Sequence, residues 1–197
     1  MKILILLAHP SPGSFNHAIT DAVRAALEAK AHTVIVHDLY AERFDPMLPG
    51  EEIPKTAALD PVVQRHIREL SEAEGVVVVH PNWWGQPPAV LKGWMDRVLR
   101  QGTAYTFGRN DKGEGVVIGL LKAHAAVVFT TANTPQDAED RLYGDPLDGL
   151  WKKCVFGFCG VSRVIRKNFT SVIMSTDEVR RAWLDEARQT VAEAFRG

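Results

Sequence analysis

Five short runs rich in β-branched and aliphatic residues, each separated from the next by a helical pattern, constrain this chain more than any other feature. The runs are Lys2 to Ala8, Thr33 to Asp38, Gly75 to His80, Ala125 to Thr131 and, more polar than the rest, Val161 to Phe169. Continuous apolar runs of this length suit strands covered on both faces, the pattern of a parallel sheet. Between them, Asn16 to Ala29 places Ala18, Ile19, Ala22, Val23, Ala26 and Leu27 on one stripe. Asp60 to Glu72 does the same with Val63, Ile67 and Leu70, and Pro88 to Leu99 with Val90, Leu91, Trp94, Met95 and Val98. Leu147 to Phe158 and Asp177 to Phe195 complete five β-α units. The alternation predicts an α/β protein with a doubly wound five-stranded parallel sheet in a three-layer α/β/α sandwich, and right-handed crossovers leave few strand orders.

Two stretches interrupt the alternation: Ala41 to Leu59, with Pro46, Pro49, Gly50 and Pro54, and Gly102 to Leu121, with five glycines. No shift in composition accompanies them, so they are expected to be long active-site loops within one domain spanning 1–197. A chain of 197 residues can bury roughly 70% of its unfolded surface, enough for a core without covalent staples. Its net charge of -1 and 24% charged residues provide no excess to gather nucleic acid or an anionic membrane. A small molecule or a second copy of the chain is the expected partner. Cys154 and Cys159 are the two cysteines and read as reduced core thiols, not a disulfide framework. The apolar start from Ile3 to Ala8 is too short for a signal peptide, and no run approaches a membrane span, so a cytoplasmic location is expected.

In a doubly wound sheet, ligands bind beyond the carboxyl ends of the strands, where the strand order reverses. Three loops fall there. The first, Ala8 to Asn16 (AHPSPGSFN), lacks both the GxGxxG and the GxxxxGK[ST] fingerprint but leads into a helix start at Ser14 or Phe15, where free N–H groups attract a phosphate; a plain cap by Ser14 or Asn16 is the alternative. The second, His80 to Pro88 (HPNWWGQPP), is stiffened by prolines, and Gly85 lets backbone approach a ligand closely. Trp83 and Trp84 there would lie against a planar heteroaromatic ring or be buried under another loop or a subunit interface. The third, Thr130 to Pro135, could wrap the far edge of the same ring or form a simple turn. The seven histidines show neither HExxH nor a Cys/His metal spacing, so no metal site is expected, and Ser14 lies in no GxSxG elbow. Asp38 reads as a strand-end cap, and Lys152 and Lys153 as a solvated helix face.

At these loops the chain resembles the flavin-dependent NAD(P)H:quinone oxidoreductases of the DT-diaphorase type. The matching stretches are AHPSPGSFN at 8 to 16, DLY at 38 to 40 with Phe44-Asp-Pro46, HPNWWGQPPAVLKGWMDRVL at 80 to 99, AYTF at 104 to 107, TTAN at 130 to 133 and FCG at 158 to 160. They stand in the family's order along nearly the whole chain, and the proline-rich loop followed by LKGW is the specific signal.

The resemblance implies a flavodoxin-like homodimer with FAD, or FMN as the alternative, at two sites built across the subunit interface. His9, Ser14, Phe15 and Asn16 would surround the phosphates. Pro81, Asn82, Trp83, Trp84 and Gly85 would line one side of the isoalloxazine, and Thr130, Thr131, Ala132 and Asn133 its pyrimidine edge, with amides near Ala132 and Asn133 aimed at the ring. Tyr105 and Phe107 match aromatics that reach the partner's substrate pocket. The implied reaction passes a hydride from NADPH or NADH through the flavin to a quinone or similar acceptor. Aligned on Gly144-Asp145, Asp137 and Tyr143 stand where family members place a proton-handling tyrosine and histidine, and Ala132-Asn133 replaces a glycine pair. Two other readings belong to the same resemblance: a flavoprotein ancillary subunit regulating a potassium-efflux transporter, and an electron-transfer flavodoxin.

Overall fold

The computed structural model describes residues 1–196. Five parallel strands, β1 (Lys2–Leu7), β2 (Thr33–Asp38), β3 (Gly75–Pro81), β6 (Ala125–Thr131) and β7 (Arg163–Phe169), form one sheet in the order β2-β1-β3-β6-β7. The first strand therefore lies beside the third, and the order reverses between them. Strand boundaries agree with the apolar runs to within two residues, because a strand covered on both faces leaves little choice of where its polar ends begin.

Side-chain alternation along the strands divides the core in two. Leu4, Leu6, Val76, Val78, Ala126 and Val128 face α2 (Pro61–Glu72), α3 (Ala89–Val98) and the segment around Trp151 and Phe156. Ile3, Ile5, Leu7, Val77, Val79, Val127 and Phe129 face α1 (Phe15–Glu28) and α6 (Asp177–Ala194). The Asp60 and Thr176 side chains cap the starts of α2 and α6 by accepting from Val62 N–H and Val179 N–H. Among the described residues no helix is long and apolar enough to cross a membrane.

Several expectations need correction. Gly102 to Leu121 is not a loop: β4 (Tyr105–Arg109) and β5 (Gly115–Gly119) pair antiparallel around a turn in which Asn110 Oδ1 accepts from Lys112 N–H and Glu114 N–H. The hairpin docks where Gly119 meets Gly160: a Cβ on Gly119 would lie 2.1 Å from Gly160 N, so only a pair of glycines fits. This contact explains the FCG stretch in packing terms. Ala41 to Leu59 lies along α3 instead of over the carboxyl rim: the buried Arg97 donates to both oxygens of buried Glu52 at 2.7 and 3.0 Å, and a Cβ on Gly93 would lie 2.2 Å from Pro46 O. The helix expected from Leu147 to Phe158 is α5 (Pro146–Gly149) continued by a π-helical segment, Leu150–Gly157. An unanticipated helix, α4 (Gln136–Tyr143), ends on Gly144 at φ 68°. Cys159 is buried, with its thiol pushed up to about 11 by burial, whereas Cys154 is exposed and is no core thiol.

Candidate active site

The carboxyl ends of β1, β3 and β6 meet at one rim of the sheet. Ladder bonds continue past the strands, Ala8 N–H to Val79 O at 3.0 Å and Asn82 N–H to Thr131 O at 2.7 Å, so the three loops leave the rim side by side. Buried Asn16 ties the start of α1 to the end of β6, its amide nitrogen donating to Thr131 Oγ1 at 3.0 Å. Two adjoining clefts open there. One, of about 320 Å³, is lined by His9, Ser14, Phe15, Asn16, Pro81, Asn82, Trp83, Thr131, Ala132, Asn133, Thr134 and Val172. The other, of about 500 Å³, is lined by Asn82, Trp84, Gly85, Ala132, Asn133, Thr134, Glu139, Tyr143 and Pro146. Both volumes fall within the range of small-molecule sites.

At the first cleft the local chemistry suits an anion. Ser14 is the cap of α1: its Oγ accepts from His17 N–H at 3.4 Å and lies 2.8 Å from His17 Nδ1, while His17 Nε2 meets Asp38 Oδ2 at 3.2 Å. The hydroxyl is thus occupied, and the remaining first-turn amides, of Phe15 and Asn16, have no intrahelical acceptor. Asp38 closes β2 as a cap, its Oδ1 accepting from Tyr40 N–H and Ala41 N–H at 3.1 Å each. His9 Nδ1 lies 3.1 Å from Ser11 N and 3.3 Å from Ser11 O; accepting from the nearer of the two leaves the hydrogen on Nε2. Burial holds the His9 pKa below the ordinary histidine value, so His9 meets a ligand as a neutral donor.

The second cleft is built on strain. Trp83 and Gln86 exchange backbone bonds at 3.0 Å, forming a tight turn in which Trp84 and Gly85 take φ 58° and 70°. A Cβ at Gly85 would lie 2.8 Å from Pro146 Cγ, so glycine is required on two counts. Left-handed backbone is costly for tryptophan, and Trp84 spends that cost on a side chain that is fully exposed at 101%. The side chain buries no surface within the chain and leaves an aromatic face open beside the cleft. Asn82 Oδ1 accepts from Gly85 N–H at 3.0 Å and Asn82 Nδ2 donates to Glu139 Oε1 at 2.8 Å, which locks the turn to α4.

The structure brings most of the expected residues to the rim and separates a few. Thr130 is fully buried, its hydroxyl on Asn168 Oδ1 at 2.8 Å, and lines neither cleft. The Ala132 amide is already committed to Phe169 O at 2.9 Å, extending the sheet ladder, so it is not the free donor expected; Asn133 Oδ1 accepts from Ile173 N–H at 3.1 Å. Tyr143 lines the second cleft, whereas Asp137 is exposed on the first turn of α4 and lines neither. Tyr105 and Phe107 sit on the hairpin, packed edge-on at 5.7 Å, away from both clefts of their own chain. Glu139, Thr134, Pro146 and Val172 were missed; Glu139 is 3% exposed yet sits in an acidic stretch that reads as solvated.

A second cluster lies behind β2. His37 Nδ1 meets Glu42 at 2.8 Å and its Nε2 meets Glu69 at 2.6 Å, while His66 Nε2 meets Glu42 at 3.2 Å. The His37, Glu42 and His66 ligand atoms lie within 4.8 Å of one another, a spacing that could suit a metal. The Trp94 indole, which can only donate, points its N–H at His66 Nδ1 at 2.9 Å. His66 must then keep its hydrogen on Nε2, which spends the lone pair a metal would need. Burial lowers the His66 pKa, and Glu42 only partly offsets this. Burial alone would also lower His37, but the Glu42 and Glu69 carboxylates outweigh it and hold its pKa above the ordinary histidine value, which favours the charged ring.

With the geometry in place, comparison gives a consistent picture. A family model described as a flavodoxin-like fold matches residues 1–194. The chain is 31% identical over 193 residues to an uncharacterized NAD(P)H oxidoreductase of Haemophilus influenzae, covering 96% of this chain and 93% of that protein. It is 30% identical over 207 residues to ribosyldihydronicotinamide dehydrogenase [quinone] of Mus musculus, covering 93% and 87%. Among solved structures, the NAD(P)H:quinone oxidoreductase from Methanothermobacter marburgensis superposes with a TM-score of 0.82 at 25% identity, covering 100% of this chain and 98% of that one.

Proposed function

Because the chain belongs to the flavodoxin-like family that includes NAD(P)H oxidoreductases and quinone dehydrogenases, we propose that it is a flavin-dependent oxidoreductase that moves two electrons from NADH or NADPH to a quinone-like acceptor. The observation that carries this reading is the pair of adjoining clefts, one starting at the free amides of α1 and the other under the exposed Trp84. An anionic tail and a planar ring fit that sequence of features in that order. Glycine is required at 85 by the left-handed turn and by Pro146, whose Cγ a Cβ there would approach to 2.8 Å, and it leaves bare backbone beside the cleft. FAD is the preferred ligand and FMN the alternative.

When bound, the flavin supplies the redox chemistry; the chain binds, orients and keeps water out. Phe15 and Asn16 amides, with His9 as neutral donor, would hold the phosphates. Trp83, Trp84 and Gly85 would support the ring, Asn82 would fix their turn through Gly85 N–H, and Thr131, Ala132 and Asn133 would close its edge. Tyr143 would offer a hydroxyl to an acceptor seated in the second cleft, and the exposed Asp137 has a correspondingly smaller part. A homodimer is part of the proposal: Phe107, Val117, Ile118 and Leu120 leave the hairpin with an exposed apolar face beside Phe158. In that arrangement Tyr105 and Phe107 would serve the partner's cleft. The relatives named above are oxidoreductases and dehydrogenases, and they lend no support to a transporter-regulating role.

Purified protein is expected to be yellow, to release a flavin identifiable by its mass, and to bleach anaerobically with NADH or NADPH. A colourless protein that gains no visible absorbance when FAD or FMN is added refutes the proposal.

A further inference from the structure

The second cleft contains one charged side chain. Glu139 is 3% exposed, lines that cleft, and forms no ion pair among the described residues. No lysine or arginine lines either cleft, and the only other titratable side chains there are His9 in the first and Tyr143 in the second. Glu139 Oε1 is committed to Asn82 Nδ2 at 2.8 Å, whereas Oε2 has no hydrogen-bond partner among the described residues and is not sealed in the interior. One oxygen is thus fixed by the turn and the other is left open at the cleft that the side chain lines. The same residues that flank it, Asn82, Trp84, Gly85, Ala132 and Asn133, are those proposed to seat the flavin ring.

We infer that Glu139 is a tuning and positioning residue: its carboxylate sits against the ring seat and makes the reduced flavin bind less tightly than the oxidised one. The inference rests on the function proposed above. Its physics is simple. Reduction adds negative charge to the ring, and a fixed carboxylate within about 10 Å, at an effective dielectric of about 20, penalises that state about tenfold while leaving the neutral oxidised ring almost untouched. A penalty on the reduced state lowers the midpoint potential and drives electrons onward to the acceptor. Through Asn82 the same side chain holds the Trp83-Trp84-Gly85 turn, which accounts for its being a glutamate fixed at one oxygen and open at the other.

The test is Glu139→Gln in the flavin-loaded protein, read by spectroelectrochemical titration instead of turnover. Glutamine keeps an oxygen for Asn82 Nδ2, so the turn survives while the charge is lost. The expected result is a midpoint raised by about 30 mV, the two-electron equivalent of a tenfold tighter hold on reduced flavin, with the dissociation constant of oxidised flavin unchanged within about twofold. A flavoprotein whose potential stays put, or falls, overturns the inference and leaves the proposed function standing, as does a folded Glu139→Gln that no longer binds oxidised flavin; a wild-type protein that binds no flavin overturns both. Should Glu139→Gln not fold, wild-type protein labelled with ¹³C-glutamate answers by redox-difference infrared spectroscopy. A carboxylate stretch that shifts on reduction is expected, and a spectrum without one overturns the inference.

Discussion

Replacing His37 with phenylalanine tests the reading of the cluster behind β2. His37 is 3% exposed and stacks on His66 with ring centroids 3.8 Å apart, so a phenyl ring keeps the volume and the stacking. What is lost is a pair of charge-assisted hydrogen bonds, at 2.8 Å to Glu42 and 2.6 Å to Glu69. Each is worth about 1.5–3 kcal/mol. The two carboxylates keep 26% and 24% of their side-chain surface in water and recover solvation when released. The net loss is therefore set at about 2–3 kcal/mol, and the midpoint of thermal unfolding falls by about 4–12 °C.

The pH dependence of that difference is the sharper check. The His37 pKa is raised in the folded protein, so its contribution is complete below the ordinary histidine value of 6.5 and is lost as pH rises through the raised value. Burial alone would raise Glu42, but hydrogen bonds from His37 and His66 outweigh it and bring its pKa to about 2, so its contribution is complete above the ordinary value of 4.5 and is lost as pH falls toward 2. Urea unfolding of wild type and His37→Phe, followed by tryptophan fluorescence across this range, should give a stability difference with a plateau between pH 4.5 and 6.5 and a decline on both sides. A difference that climbs steadily with pH, or stays under about 0.5 kcal/mol throughout, refutes an imidazolium held between two carboxylates.

Further predictions concern separate parts of the molecule. Trp84→Ala should weaken flavin retention about tenfold, as expected for loss of an aromatic stacking face, with little change in the unfolding midpoint of the apoprotein because the side chain is fully exposed; equal flavin affinity in an apoprotein titration would remove that tryptophan from the site. Gly119→Ala places a methyl group 2.1 Å from Gly160 N and 2.2 Å from Cys159 C. Both are backbone atoms, so a loss of about 3 kcal/mol in denaturant unfolding is expected. Trp151→Phe leaves fully buried His80 Nε2 without the indole N–H it accepts at 3.0 Å, at a cost of about 1–3 kcal/mol. Burial pulls His80 down to about 4, so it is neutral from pH 6 upward and the Trp151→Phe deficit should be the same at pH 6 and pH 8. Sedimentation of the wild-type protein should report a dimer, and a fully active monomer would contradict the shared site.

The amino-acid sequence by itself determined the layered architecture. Strand and helix periods are local properties, readable from Lys2–Leu7 or Pro61–Glu72 without knowing the neighbours, and the rim loops follow from where those periods stop. The residues of HPNWWGQPP carried their own message, since two tryptophans beside a glycine are hard to explain as loop filler. Even the overlooked elements had local signals: Pro135 and Gly144 bracket α4, and Asn110 to Gly113 is a turn between alternating runs. Tertiary structure decided everything that depends on which distant groups meet. It set Glu139 against Asn82, 57 positions away, and so turned one acid of a solvated-looking helix into the lone charge of a cleft. It took the Ala132 amide out of the site by pairing it with Phe169, and it converted His37 from one histidine among seven into a ring clamped between Glu42 and Glu69. The reason is physical: periodicity records how a residue sits on its own element, whereas hydrogen-bond partners and charge states are set by neighbours that only folding brings within reach.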